Sequence, residues 1–169
     1  MIRPFITGII ILLCTSVFES AVLSNLTFLP AIPDISLICV VFIALHNGKT
    51  FGETSGFFSG LFLDFLGACP LGFNCLYRTI IGYFGGKFCK ILNTEGFIVP
   101  FLIVLIATGM KVLLVQFIAL LFPSVTVAYK ILSLTFVFEL LLNSFLAPFV
   151  FRLLRVFKNS LILRPENVR

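Results

Sequence analysis

Twelve basic and seven acidic residues share a chain of 169 that is 60% hydrophobic, so each charge needs a physical reason for its setting. Five of them, Glu19, Asp64, Arg78, Lys111 and Glu139, fall inside apolar runs. An unpaired charge in hydrocarbon costs at least ~2.5 kcal/mol, so such groups face a protein interior and meet partners there. The chemistry open to them is ion pairing, a small-molecule site or an ion path. Covalent catalysis has little support. The single His46 falls in a polar turn and no H-E-x-x-H motif occurs. Asp64 lacks a second aspartate at matching depth, and Ser55 and Ser59 have no base at a usable spacing. The cysteines at 14, 39, 69, 75 and 89 show no C-x-x-C and are odd in number, which excludes a complete disulfide framework. They read as small apolar fillers, with Cys69 and Cys75 expected as free thiols. No metal or cofactor is expected.

A mean hydropathy of +1.18 and 22 Phe exceed what a soluble core uses, so the elements that position these charges are membrane spans. The expected fold is an all-α integral membrane protein with six transmembrane helices at about 5–23, 28–45, 50–68, 71–88, 97–122 and 130–157. They form one domain over 1–158, followed by a basic tail over 159–169. The first span reads as an anchor rather than a leader, because Glu19 sits poorly before a cleavage site. In the second, Pro30 and Pro33 interrupt the start, so a helix of about 13 residues is expected from Pro33, with Asp34 in its first turn. Charge placement decides the topology. Arg3, Lys49, Lys87, Lys90, Arg152, Arg155, Lys158, Arg164 and Arg169 fall on one side and only Lys130 on the other, which places both termini in the cytoplasm. A re-entrant 26–45 would export Lys49, Lys87 and Lys90. The net charge of +5 is thus a topology signal, and no patch of bases with interleaved aromatics suggests nucleic acid.

A rise of 1.5 Å per residue puts Arg78 about 10 Å, Glu139 about 13 Å and Lys111 about 16 Å below the outer ends of their helices. Asp64 and Glu19 lie higher. Neighbours on each face are small or polar: Cys75, Gly82, Gly85 and Gly86 beside Arg78, Thr135 and Asn143 beside Glu139, Ala107 and Thr108 before Lys111. The expected pairing joins Glu139 to Arg78 or Lys111, with Asp64 reaching the other from above. Such a buried charge network of Arg78, Lys111 and Glu139 serves either to fix helix neighbours or to line an outward-opening site.

Gly48, Gly52, Gly56, Gly60 and Asp64 recur every four residues, so on one helix they make a ridge almost without side chains. In water this run would be a poor helix. Between lipid tails a spanning segment must be helical, and small residues let a second helix come close. The ridge is a packing surface, either for another helix of this chain or for a partner's.

The sequence resembles the MreD family of rod shape-determining membrane proteins. The likeness lies in Pro33-Asp34 opening the second span, Ala44 and Gly48, the Gly52/Gly56/Gly60-Leu61/Asp64 ridge, Gly67, Leu71-Gly72, and Glu139, Asn143 and Pro148 in the last span. The resemblance implies a non-enzymatic scaffold subunit of the cell-elongation machinery in the bacterial cytoplasmic (inner) membrane. It implies association with the bitopic protein MreC. Through MreC it implies links to MreB filaments, the glycosyltransferase RodA and a class B penicillin-binding transpeptidase, in support of lateral peptidoglycan synthesis. It also implies a fold similar to the substrate-binding subunits of energy-coupling-factor vitamin transporters. Such a subunit is the alternative function, with Asp64, Arg78, Lys111 and Glu139 lining a pocket. Against it, the chain has no Trp and three Tyr to stack on a flat ligand.

Overall fold

The computed structural model describes residues 2–25, 31–67, 70–89, 91–92, 94–122 and 133–162. Cys69, Pro30, Lys90, Lys130, the expected turn at 123–129 and the tail beyond Ile162 lie outside them. The described residues form seven helices and one 3-10 turn, and no strand. They are α1 (Ile2–Ala21), α2 (Ile35–Asn47), α3 (Lys49–Leu66), α4 (Phe73–Lys87), α5 (Ile98–Leu121), α6 (Leu134–Val156) and α7 (Lys158–Leu161), with the 3-10 turn at Leu23–Asn25.

Three helical stretches are long and apolar enough to cross a membrane: α1 with its 3-10 extension, α5 and α6. The other three helices of the bundle are shorter or more polar, and each has a sequence reason. α2 has only 13 residues, yet every residue from Ser36 to Leu45 is buried. A helix apolar on all sides belongs in a core, and α2 is packed against α1, α3, α4, α5 and α6. The short, proline-preceded segment is therefore the hub of the bundle. It begins at Ile35, two residues later than expected at Pro33, because Asp34 acts as its N-cap, accepting from Leu37 N at 3.0 Å.

The tightest packing in the molecule is between α3 and α4. Gly52 lies against Gly82, Gly56 against the Arg78 backbone and Gly60 against Cys75, an antiparallel register in which the ridge is occupied by α4. A Cβ on Gly52 would overlap the Gly82 carbonyl oxygen, and one on Gly56 that of Arg78. Gly48 has a different task. Its φ of +93° makes the α2–α3 junction, a backbone state that L side chains rarely adopt.

α5 and α6 form a second antiparallel pair, seamed by Phe97–Phe149 and Phe101–Phe145 ring contacts. Pro148 sits inside α6 without ending it, as membrane helices permit when neighbours satisfy the backbone. A boundary after residue 158 would leave α7 in the tail. Instead α7 packs on α1, Leu161 is fully buried, and Asn47 Nδ2 donates to the Leu161 carbonyl at 3.0 Å.

Candidate functional site

At the start of α2, where its first N–H groups need an acceptor, Asp34 carries the polar centre of the bundle. Its Oδ1 accepts from Leu37 N and from Arg78 Nη2 at 2.6 Å, and its Oδ2 accepts from Lys111 Nζ at 2.7 Å. Lys111 Nζ also donates to Glu139 Oε1 at 2.6 Å. The result is one chain of alternating charge, Arg78–Asp34–Lys111–Glu139, in which every member is buried.

Neutral groups complete it. Arg78 Nη1 donates to Ser36 Oγ at 2.7 Å and Ser59 Oγ at 2.8 Å. Its Nε reaches Tyr77 Oη at 3.3 Å, and that hydroxyl donates to Asn74 Oδ1 at 2.7 Å. Glu19 accepts from Ser36 N at 2.6 Å and Ser36 Oγ at 2.9 Å. Asn143 Oδ1 accepts from Asp34 N at 2.8 Å, and its Nδ2 donates to Thr108 Oγ1 at 3.4 Å. Each of the helices α1 to α6 contributes: Glu19 from α1, Ser36 from α2, Ser59 from α3, Tyr77 and Arg78 from α4, Thr108 and Lys111 from α5, Glu139 and Asn143 from α6. Buried ions are tolerable when their remaining hydrogen-bond capacity is filled, and here serines and amides fill it.

The arrangement corrects the expected pairing. Glu139 meets Lys111, but Arg78 pairs with Asp34 and not with Asp64. Asp64 instead caps α4: Oδ2 accepts from Gly72 N at 2.8 Å, and Oδ1 accepts from Asn74 N at 3.0 Å and Asn74 Nδ2 at 2.8 Å. The physical reason is the α3–α4 turn, which brings unpaired first-turn N–H groups directly above Asp64. Asp34 escaped notice as a partner because a cap residue ordinarily faces water. The short length of α2 was the available signal, since a 13-residue helix spans only about 20 Å and its cap must lie at depth. His46 is likewise corrected from a solvated turn residue. It is half-buried at the end of α2, its ring tilted against that of Phe42 with centroids 4.1 Å apart, and contacts Phe42 O at 2.8 Å and Thr94 Oγ1 at 3.3 Å.

Above the ion pairs lies a cavity of about 340 Å³, lined by Glu19, Asp34, Asn74, Tyr77, Lys111 and Glu139 among others. It is bounded by the end of α1, the start of α2 and the start of α4. No group of three or more His, Cys, Asp or Glu with metal-binding placement occurs among the described residues. Cys14, Cys39 and Cys75 are free thiols.

Apolar helices closed around one chain of ion pairs define a membrane protein with a buried polar core. Which one follows from its sequence: residues 1–157 match the family model for rod shape-determining protein MreD, and the chain belongs to that family. Its role is in rod shape determination. No curated protein and no solved structure matched the chain.

Proposed function

We propose that this protein is a six-span scaffold of the bacterial inner membrane, with both termini cytoplasmic, that binds an MreC-like bitopic protein and so supports lateral peptidoglycan synthesis. The observation that carries the reading is the family match over 1–157. The polar core supports it, since charges that already satisfy one another hold helices in place and leave little capacity for chemistry. MreB, RodA and a class B transpeptidase enter this reading only through the MreC-like partner. No cofactor, metal or catalytic residue enters it.

The glycine ridge is taken up by α4, so the partner's span needs another face. An apolar groove of about 260 Å³ between α4 and α5 offers one, lined by Ile81, Phe84, Gly85, Ile103, Ile106 and Met110. Phe84 and Ile106 are exposed beside it. The test is photo-crosslinking from Ile106 in native membranes, with mass spectrometry of the adduct. An MreC-like protein in the adduct supports the reading. Its absence, together with its absence from a tagged pull-down, overturns it.

The 340 Å³ cavity favours a second reading, a substrate-binding subunit of an energy-coupling-factor vitamin transporter. The same pull-down separates the two, because that subunit would bring paired ATPases and a coupling membrane protein.

A further inference from the structure

A second cavity, about 380 Å³, lies between the start of α5 and the end of α6, roughly 16 Å along α5 from Lys111. Arg152 and Arg155, three apart on one face of α6, both line it. Arg155 is fixed in place, donating from Nη2 to the Thr94 carbonyl oxygen and to Thr94 Oγ1. Arg152 is exposed and forms no ion pair among the described residues. Glu95 also lines the cavity, so its described wall carries two positive charges and one negative. The neighbouring first turn of α5 has no side-chain cap, which adds a partial positive charge to the arginines.

Outside the cavity the surface is apolar. Ile98 is 70% exposed and Phe149 66%, next to Phe97, which lines the cavity edge. Two arginines within a helix-end pocket and apolar side chains around its rim match the two parts of a single molecule. We propose that this cavity binds the phosphate of an anionic phospholipid headgroup, with the acyl chains lying along Phe97, Ile98 and Phe149. A soluble phosphate would use the arginines and leave the rim unexplained.

The test is native mass spectrometry of the full-length protein in detergent. The probes are phosphatidylglycerol, phosphatidylcholine with the same chains, and free glycerol 3-phosphate. Phosphatidylglycerol is retained in preference to phosphatidylcholine, and glycerol 3-phosphate does not displace it. Arg152→Gln lowers retention severalfold, and R152Q/R155Q lowers it about tenfold or more, the loss expected when two interfacial arginines go. Because Arg155 also holds Thr94, the single Arg152→Gln keeps the test independent of folding, and its thermal unfolding stays at the wild-type midpoint. Lys49→Gln removes an exposed charge at the α2–α3 junction and leaves retention unchanged. Equal retention of the two lipids, or an equal loss with Lys49→Gln, overturns the site in favour of diffuse attraction. Displacement by glycerol 3-phosphate overturns the lipid and leaves a site for a soluble phosphate.

Discussion

Asp34 shows how one side chain does two tasks that usually belong to different residues. As an N-cap it satisfies Leu37 N, and as a counter-ion it joins Arg78 to Lys111. Removing one partner of a buried ion set costs about 3–5 kcal/mol, because the other charge stays behind in low dielectric. Asp34→Asn strands Arg78 and takes one of the two counter-ions of Lys111, so it is expected to destabilise more than Glu139→Gln, after which Lys111 keeps Asp34. Thermal unfolding in detergent ranks the two, and the reverse order would contradict the geometry. A double-mutant cycle sharpens the point. D34L/R78L leaves Lys111 and Glu139 as a complete pair, so it is expected to be more stable than Asp34→Leu alone; additive losses would show that Arg78 and Asp34 do not depend on each other. At this scale the sequence was partly legible. Depth and face named Arg78, Lys111 and Glu139, because charge in an apolar run is conspicuous. Asp34 and Ser36 stand at a helix start beside prolines, where polar residues are ordinary, and their burial is a tertiary fact.

The helices differ in how openly their sequences declare them. A four-residue glycine period declares close packing, but the period alone does not say whose helix fills the ridge. The answer is α4, which supplies Gly82 and Gly86 and so matches small residues with small residues. Substitution tests that contact at a known cost. Gly56→Leu forces α3 from the Arg78 carbonyl and, by overpacking, is expected to lose about 1–3 kcal/mol or more. Gly109 is the control, since a Cβ there would meet nothing within 4 Å. Gly109→Ala is expected to be neutral or to stabilise α5 by up to about 1 kcal/mol through helix propensity. Equal losses in the two variants, measured as unfolding midpoints, would mean that glycine matters here for reasons other than contact. Asp64 acts on the same pair of helices. Asp64→Ala removes acceptors from Gly72 N and Asn74 N and is expected to cost about 0.5–2 kcal/mol, the range of an N-cap loss. That is less than Asp34→Asn costs, although the sequence marks Asp64 more strongly. The ridge drew attention to Asp64 because it continues the glycine period, whereas its work is local to the α3–α4 turn.

For the whole molecule the outstanding question is how helices of unequal length share one membrane. α5 has 24 residues, about 36 Å, but α2 has 13, about 20 Å, against a hydrocarbon thickness of about 30 Å. The body of α2 from Ser36 to Leu45 is buried among the other helices, and non-helical backbone at depth is acceptable where protein surrounds it. Residues 31–34 show how the difference is made up. Ala31, Pro33 and Asp34 are buried, and Asp34 N donates to Asn143 Oδ1 of α6. The Asp34 N–H of this stretch thus finds a protein partner where a longer helix would have offered its own carbonyl. The proposed six-span topology requires that the α1 end near Ser24 and the α4–α5 connection near Gly96 lie on opposite sides of the membrane. Both positions are exposed, so single cysteines there, in a chain whose native cysteines are replaced, are open to an impermeant maleimide. Ser24→Cys is expected to label in intact spheroplasts, and Gly96→Cys only after lysis. Labelling of both from outside would place Lys87 and Arg155 on the exported face, which contradicts the charge asymmetry and reduces α2 to a re-entrant hub. Labelling on opposite sides would make α2 a full crossing despite its length, with the ion-pair chain at its start buried in the outer half of the bilayer.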